Sequence, residues 1–240
     1  MVTDAGWMLN AQLIDGGGGL GLKNARLYAL RDSAGNAFGK SAGDAEGLTR
    51  RGDELWISFE RDHRLERYDG ALPVGLVQSR RFEKMRSNSG LEALITLPDG
   101  RFLAIAEGRR GGAVPAFVIG KDNKVTEDAL AIGERHKVTG GDVGPDGRLY
   151  LVLRSYAPFV GVSIRIERFD LTGEGFPDLT KRRVLAAFEA ESGIDNMEGI
   201  SIWVDKAGRT RLTLIADDNF NPIQRTLVMD FEVLGVPGRR

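Results

Sequence analysis

One pattern recurs four times along the chain and limits the fold more than any other feature. A carboxylate beside a small residue opens an alternating apolar run. A tight turn follows, and a second apolar run ends in a charged residue. The copies run from Asp44-Ala45-Glu46-Gly47 to Glu60, from Glu92-Ala93 to Glu107, from Gly141-Asp142 to Arg154, and from Glu198-Gly199 to Asp217-Asp218-Asn219. Their turns are Arg51-Gly52-Asp53, Pro98-Asp99-Gly100, Pro145-Asp146-Gly147 and Asp205-Lys206-Ala207-Gly208. Period-two alternation around short glycine turns predicts β-hairpins, whereas helical repeats carry a period of about 3.6. The openings at 46, 92, 142 and 198 set a repeat of roughly 46 to 56 residues. That length leaves room for about four strands per copy, which is the spacing of a β-propeller.

The expected fold is therefore all-β: a single β-propeller domain over residues 1–240, with about five or six blades. Met1 to Trp7 resembles the end of a further copy, with Asp4 at the place of Glu60, Glu107 and Asp217, so the first blade reads as incomplete at the N-terminus. An ordinary terminal edge strand is the plainer alternative. Outer strands are expected at Leu9–Leu13 and Asn24–Leu30, and later strands at Leu65–Tyr68, Ala116–Ile119, Val162–Phe169 and Gln224–Val233. Val184–Glu191 fits a strand or a short helix, and residues 71–87 and 170–183 read as connections. Gly16–Gly19 lacks the following helix and framed lysine of a phosphate-binding loop, so it reads as a turn.

Composition removes several chemistries. The chain has no cysteine, which excludes disulfides, thiolate nucleophiles and cysteine-bound zinc. The net charge is -1 and no basic stripe interleaves with aromatics, so no nucleic-acid partner is expected. No run is long enough for a membrane span, and no signal peptide opens the sequence. His63 and His136 are the only histidines. Ser58 has no nucleophile-elbow glycines beside it, so a serine triad is not expected.

A propeller brings the ends of its inner strands to one channel mouth. The repeat would gather there Glu46, Glu92, Asp142 and Glu198 from its starts, with Asp4, Glu60, Glu107, Arg154, Asp217 and Asp218 from its ends. So many carboxylates repel one another. A hard cation would relieve this, and oxygen-only ligation indicates Ca2+, with Mg2+ as the alternative. Glu46, Glu92, Glu198, Asp217 and Asp218 are the expected metal ligands. Glu60 or Glu107 would be the general base, and Arg61 or Arg154 the clamp on an anionic group. Two other arrangements compete with this one. Arginines 61, 64, 109 and 154 could pair with the acids, or the acids could cap backbone amides at blade corners.

Several segments carry a resemblance. Asp44-Ala-Glu-Gly-Leu48, Trp56-Ile-Ser-Phe-Glu-Arg61, Asn88-Ser-Gly-Leu-Glu-Ala-Leu94, Asp195-Asn-Met-Glu-Gly-Ile200, Asp217-Asp-Asn-Phe220 and Gln224-Arg-Thr-Leu227 resemble, in order, the bacterial phytase-like family named for esterase-like activity of phytase. The resemblance implies a β-propeller, export to the periplasm or beyond, and hydrolysis of phosphoesters or carboxylic esters. It carries the acidic motif onto Glu46, Glu60, Glu92, Glu107, Glu198, Asp217 and Asp218, with Asn88, Asn196 and Asn219 beside them. Members usually start further upstream, and the dense basic and acidic clusters of true propeller phytases have no match here. The expected function is a metal-dependent hydrolase of small phosphate or carboxylic esters. The alternatives are a non-catalytic propeller interaction module and, more weakly, a calcium-dependent lactonase-like enzyme.

Overall fold

Every described strand pairs antiparallel with a neighbour in the chain. The computed structural model describes residues 1–15, 20–39, 41–133, 135–158, 161–189, 194, 196–216 and 226–237. The chain forms two compact units, Met1–Leu91 and Glu92–Arg240.

The first unit begins with Val2 bridging Met8 across a turn that holds Asp4. A long hairpin follows, β1 (Trp7–Asp15) and β2 (Leu20–Ala29). The outer strands expected there pair with each other, Leu9 opposite Leu27 and Leu13 opposite Leu22. The glycine turn expected at 16–19 lies outside the described residues. Next comes a four-stranded meander of β3 (Ala45–Arg51), β4 (Glu54–Phe59), β5 (Arg64–Asp69) and β6 (Leu72–Val77). Its two outer turns are two-residue loops that open on Gly52 (φ 60°) and Gly70 (φ 59°). Glycine is required there because a side chain is strained at positive φ. Met8, Leu30, Ala45, Ile57, Phe59 and Tyr68 form the core of this unit.

The second unit holds three sheets in chain order. The first contains β7 (Ala93–Thr96), β8 (Phe102–Ile105), β9 (Val114–Ile119) and β10 (Val125–Leu130). The second contains β11 (Lys137–Val143), β12 (Leu149–Ala157), β13 (Gly161–Phe169) and β14 (Arg183–Phe188). The third contains β15 (Met197–Val204), β16 (Arg209–Ala216) and β17 (Leu227–Pro237). Each is an up-and-down meander with strands in sequence order, the form of a propeller blade. Four blade-form sheets and one two-stranded hairpin are thus present among the described residues.

The first strands pack on one another, β7 on β11 and β11 on β15, so they form the inner layer. Close approach explains the glycines of β11: a Cβ on Gly140 would stand 2.8 Å from the carbonyl oxygen of Glu198. Every residue of β8 and β9 is buried, whereas half of β10 and most of β14 are exposed. Two segments change from the sequence reading. Residues 72–77, expected to lie in a connection, are an edge strand whose pattern is interrupted by Pro73 and Gly75. The ambiguous 184–191 segment is strand through Phe188.

Candidate functional site

A shared irregularity fixes where the acidic openings lie. On β3, Ala45 pairs with Phe59 and Leu48 with Ile57, so Glu46 and Gly47 together face Ser58. On β15, Met197 pairs with Ala216 and Gly199 with Ile215, leaving Glu198 as the extra residue. On β11, Val138 pairs with Leu153 and Gly140 with Val152, and the extra residue is Thr139. The first strands β3, β11 and β15 therefore each carry a β-bulge that re-aims a side chain, whereas β7 pairs with β8 without one.

The register corrects one expectation. The counterpart of Glu46 and Glu198 is Thr139, and Asp142 lies further along β11 opposite Tyr150. Asp142 instead stitches sheets together. Its Oδ2 accepts the amide of Ile202 at 2.7 Å and its Oδ1 that of Val143 at 2.8 Å. Burial pushes this carboxyl up to about 6, with the amide bonds opposing. Thr139, missed in the sequence, donates to the Met197 carbonyl at 2.7 Å. The Thr139-Gly140 pair was the available signal, since glycine also follows Glu46 and Glu198.

In the first unit the end of β4 turns back against the start of β3 and gathers Asp44, Glu46 and Glu60. One carboxylate oxygen from each lies within 4.8 Å of the others. The turn is held by the Glu60 amide donating to the Asp44 carbonyl at 2.8 Å and by the Gly90 amide donating to Glu60 Oε1 at 3.1 Å. Arg61 has a left-handed backbone (φ 64°), and its Nε donates to Asp44 Oδ2 at 2.7 Å. Asp44 is buried, while the Arg61 side chain is about half exposed, at 48%. Asp44 holds the Arg61 guanidinium above its usual range. The sequence reading had named Asp44 only as part of a motif, yet it completes this cluster. Ser58 beneath it accepts the Gly47 amide at 2.8 Å and donates to the Leu91 carbonyl at 2.7 Å, a structural use of a buried hydroxyl.

The donor set suits a hard cation. It is all oxygen and entirely carboxylate, with one arginine beside it. With one oxygen from each acid within 4.8 Å of the others, the three are close enough to share one hard divalent cation.

The second unit solves the charge problem with cations of its own. Arg154 reaches Glu107 at 3.2 Å and Glu198 at 3.7 Å, and Lys137 donates to Glu107 at 2.9 Å. The Asn196 amide donates to Glu198 Oε1. Glu107, Arg154, Glu198 and Asn196 therefore form one paired cluster. Glu92, placed immediately before β7 in this unit, is partly buried. Asp4 and Asn88 are exposed turn residues. Asp217, Asp218 and Asn219 lie outside the described residues.

The other arginines are structural. The Arg64 guanidinium is buried, donates to Glu66 at 2.7 Å and lies 4.1 Å from the Phe59 ring centre. Arg109 straps a loop by donating to the carbonyls of Gly112 and His136 at 2.8 and 2.9 Å. His63 Nε2 lies 3.0 Å from the Arg86 carbonyl.

Blade-form sheets, two of whose first-strand bulges present a glutamate, define a propeller-type protein with an acidic, cation-compatible cluster. The chain belongs to the phytase-like family, described as esterase-like activity of phytase, which it matches over residues 1–220. No curated protein matches the sequence significantly. Among solved structures it is similar to a luciferin-regenerating enzyme, with 13% identity and a TM-score of 0.48 over 90% of this chain and 83% of that one. It is also similar to a protein from Lactobacillus plantarum, with 14% identity and a TM-score of 0.44 over 93% of this chain and 64% of that one. A third likeness is to a protein of unknown function from Bacteroides caccae, with 9% identity and a TM-score of 0.39 over 79% and 78% of the two chains. No helix among the described residues is long and apolar enough to cross a membrane.

Proposed function

We propose that this protein is a metal-dependent hydrolase of small phosphate or carboxylic esters, with Asp44, Glu46 and Glu60 holding a calcium ion. The observation that carries the reading is the approach of three carboxylate oxygens to within 4.8 Å of one another. Family membership supplies the class of reaction. A bound calcium would polarise the ester oxygen and lower the pKa of a coordinated water. Asp44 and Glu46 orient the site. Glu60, fixed by the Gly90 amide, would also be placed to act as general base toward a water on that ion. Arg61, anchored by Asp44, offers its exposed donors to the anionic group of the substrate.

The sequence-based ligand set changes accordingly. Glu46 stays in it, Asp44 and Glu60 join it, and Glu198 belongs to the Arg154 cluster. A single five- or six-bladed propeller domain, magnesium as the alternative ion and export to the periplasm remain parts of the proposal. The test is hydrolysis of p-nitrophenyl phosphate and p-nitrophenyl acetate by chelator-stripped protein, with calcium restored. Calcium-dependent turnover that is lost in Glu60→Gln supports the reading. Turnover indifferent to both calcium and the substitution overturns it.

The second reading is a non-catalytic interaction module. Arg154 favours it, because Glu107 and Glu198 are already neutralised within the protein. Absence of turnover in every ester tested, with the fold intact, would decide for it. A lactonase-like activity shares the metal logic of the leading reading and is tested by adding a lactone to the panel.

A further inference from the structure

The outer part of the β11–β14 sheet carries a second feature, built from the opposite charge. A cavity of about 350 Å³ opens where β12 begins, β13 ends and β14 begins. It is lined by Arg148, Arg168, Lys181, Arg182 and Arg183, against a single acid, Asp170. Arg148 immediately precedes β12 and Arg154 lies six residues further along it, a span of about 20 Å, so the cavity is at the far end of that strand from the Arg154 cluster.

The lining acid is already engaged. Arg148 donates to Asp170 at 2.7 Å and Lys181 lies 3.8 Å from it. Asp146 takes Arg148 and Arg168 at 3.4 and 3.6 Å. Among the described residues Arg183 makes no ion pair. The register adds a separate observation: Arg168 and Arg183 are directly opposed across β13 and β14. Like charges in that relation repel and destabilise a sheet unless an anion lies between them. Guanidinium groups also have the planar donor fork that matches phosphate oxygens. The volume is at the lower end of small-molecule sites, larger than one inorganic phosphate needs.

We propose that this cavity binds a small phosphorylated molecule, with its phosphate between Arg168 and Arg183 and with Arg148 and Lys181 at the rim. Binding there places an anion between the two opposed guanidinium groups.

The test is calorimetric titration of the intact protein with inorganic phosphate, pyrophosphate and glycerol 3-phosphate, using acetate at matched ionic strength as control. Vesicles containing phosphatidic acid form a separate arm that distinguishes a lipid headgroup from a soluble phosphate. Saturable binding of the soluble phosphates is expected, weakened about tenfold or more in Arg183→Gln and in Arg168→Gln. Arg183 is exposed, so its variant is expected to fold, and its melting curve verifies this. The proposal is overturned by absence of saturable binding, by equal binding of acetate, by binding to vesicles alone, or by affinity unchanged in both variants.

Discussion

The carboxylate of Asp142 on β11 accepts the backbone amide of Ile202 on β15 at 2.7 Å, tying the inner strand of one sheet to that of the next. Its position inside the protein raises its pKa from 3.8 to about 6. Between those values the folded protein keeps a proton that the unfolded chain has lost. Stability contributed by this group is therefore greatest in acid, falls as pH rises from about 4 to 6, and is level above. The change is on the order of 2–3 kcal/mol. Asp142→Asn should remove it, so the difference in unfolding free energy between the two proteins should vary across that window. A difference that stays constant from pH 4 to 7 contradicts this.

Ser58 and Thr139 use buried hydroxyls to satisfy backbone groups beside the bulges. Ser58→Ala leaves the Gly47 amide and the Leu91 carbonyl without that partner, and Thr139→Val does the same to the Met197 carbonyl. Each should lower stability by about 1–3 kcal/mol, because a buried polar group loses its hydrogen bond. Denaturant unfolding checks this, with the midpoint moving and the slope unchanged.

Arg154 stands between two carboxylates, Glu107 and Glu198. Arg154→Met should destabilise by about 1–2 kcal/mol, since it leaves two acids short of a cation. Adding Glu198→Gln should recover part of that loss. A double-mutant cycle measures the coupling, and additive losses would show that the pair does not interact.

Much of this was legible in the residues. The turns Pro98-Asp99-Gly100 and Pro145-Asp146-Gly147 announced themselves, and Gly100 and Gly147 do adopt positive φ. The hairpins followed from alternation. The edge strands at 72–77 and 125–130 did not, because Pro73 and Gly75 in the first and Glu127-Asp128 in the second read as breakers. The acidic repeat was visible, but its partners were not. On β11 the bulge falls at Thr139, three residues before Asp142, and an uncharged residue there leaves no acidic mark at the equivalent place. Charge pairing is also a matter of three-dimensional approach. Nothing in the spacing of 107, 154 and 198 says that one arginine serves two glutamates, or that Asp44 joins Glu46 and Glu60.

Arg61 is the proposed anion contact. Arg61→Gln should raise KM about tenfold for a phosphate monoester, the loss of one charge-assisted hydrogen bond, and leave a neutral acetate ester little changed. Equal effects on both substrates would assign Arg61 to holding Asp44 rather than to binding substrate.

The central claim is that Asp44, Glu46 and Glu60 hold a calcium ion, and thermal unfolding of chelator-stripped protein during a calcium titration tests it most directly. An ion that binds only the folded state raises the midpoint as its concentration rises. The account predicts such a rise, abolished in Glu46→Gln and Glu60→Gln and retained in Glu198→Gln. A midpoint that does not move with calcium, or a rise that survives both first-unit substitutions, would contradict it.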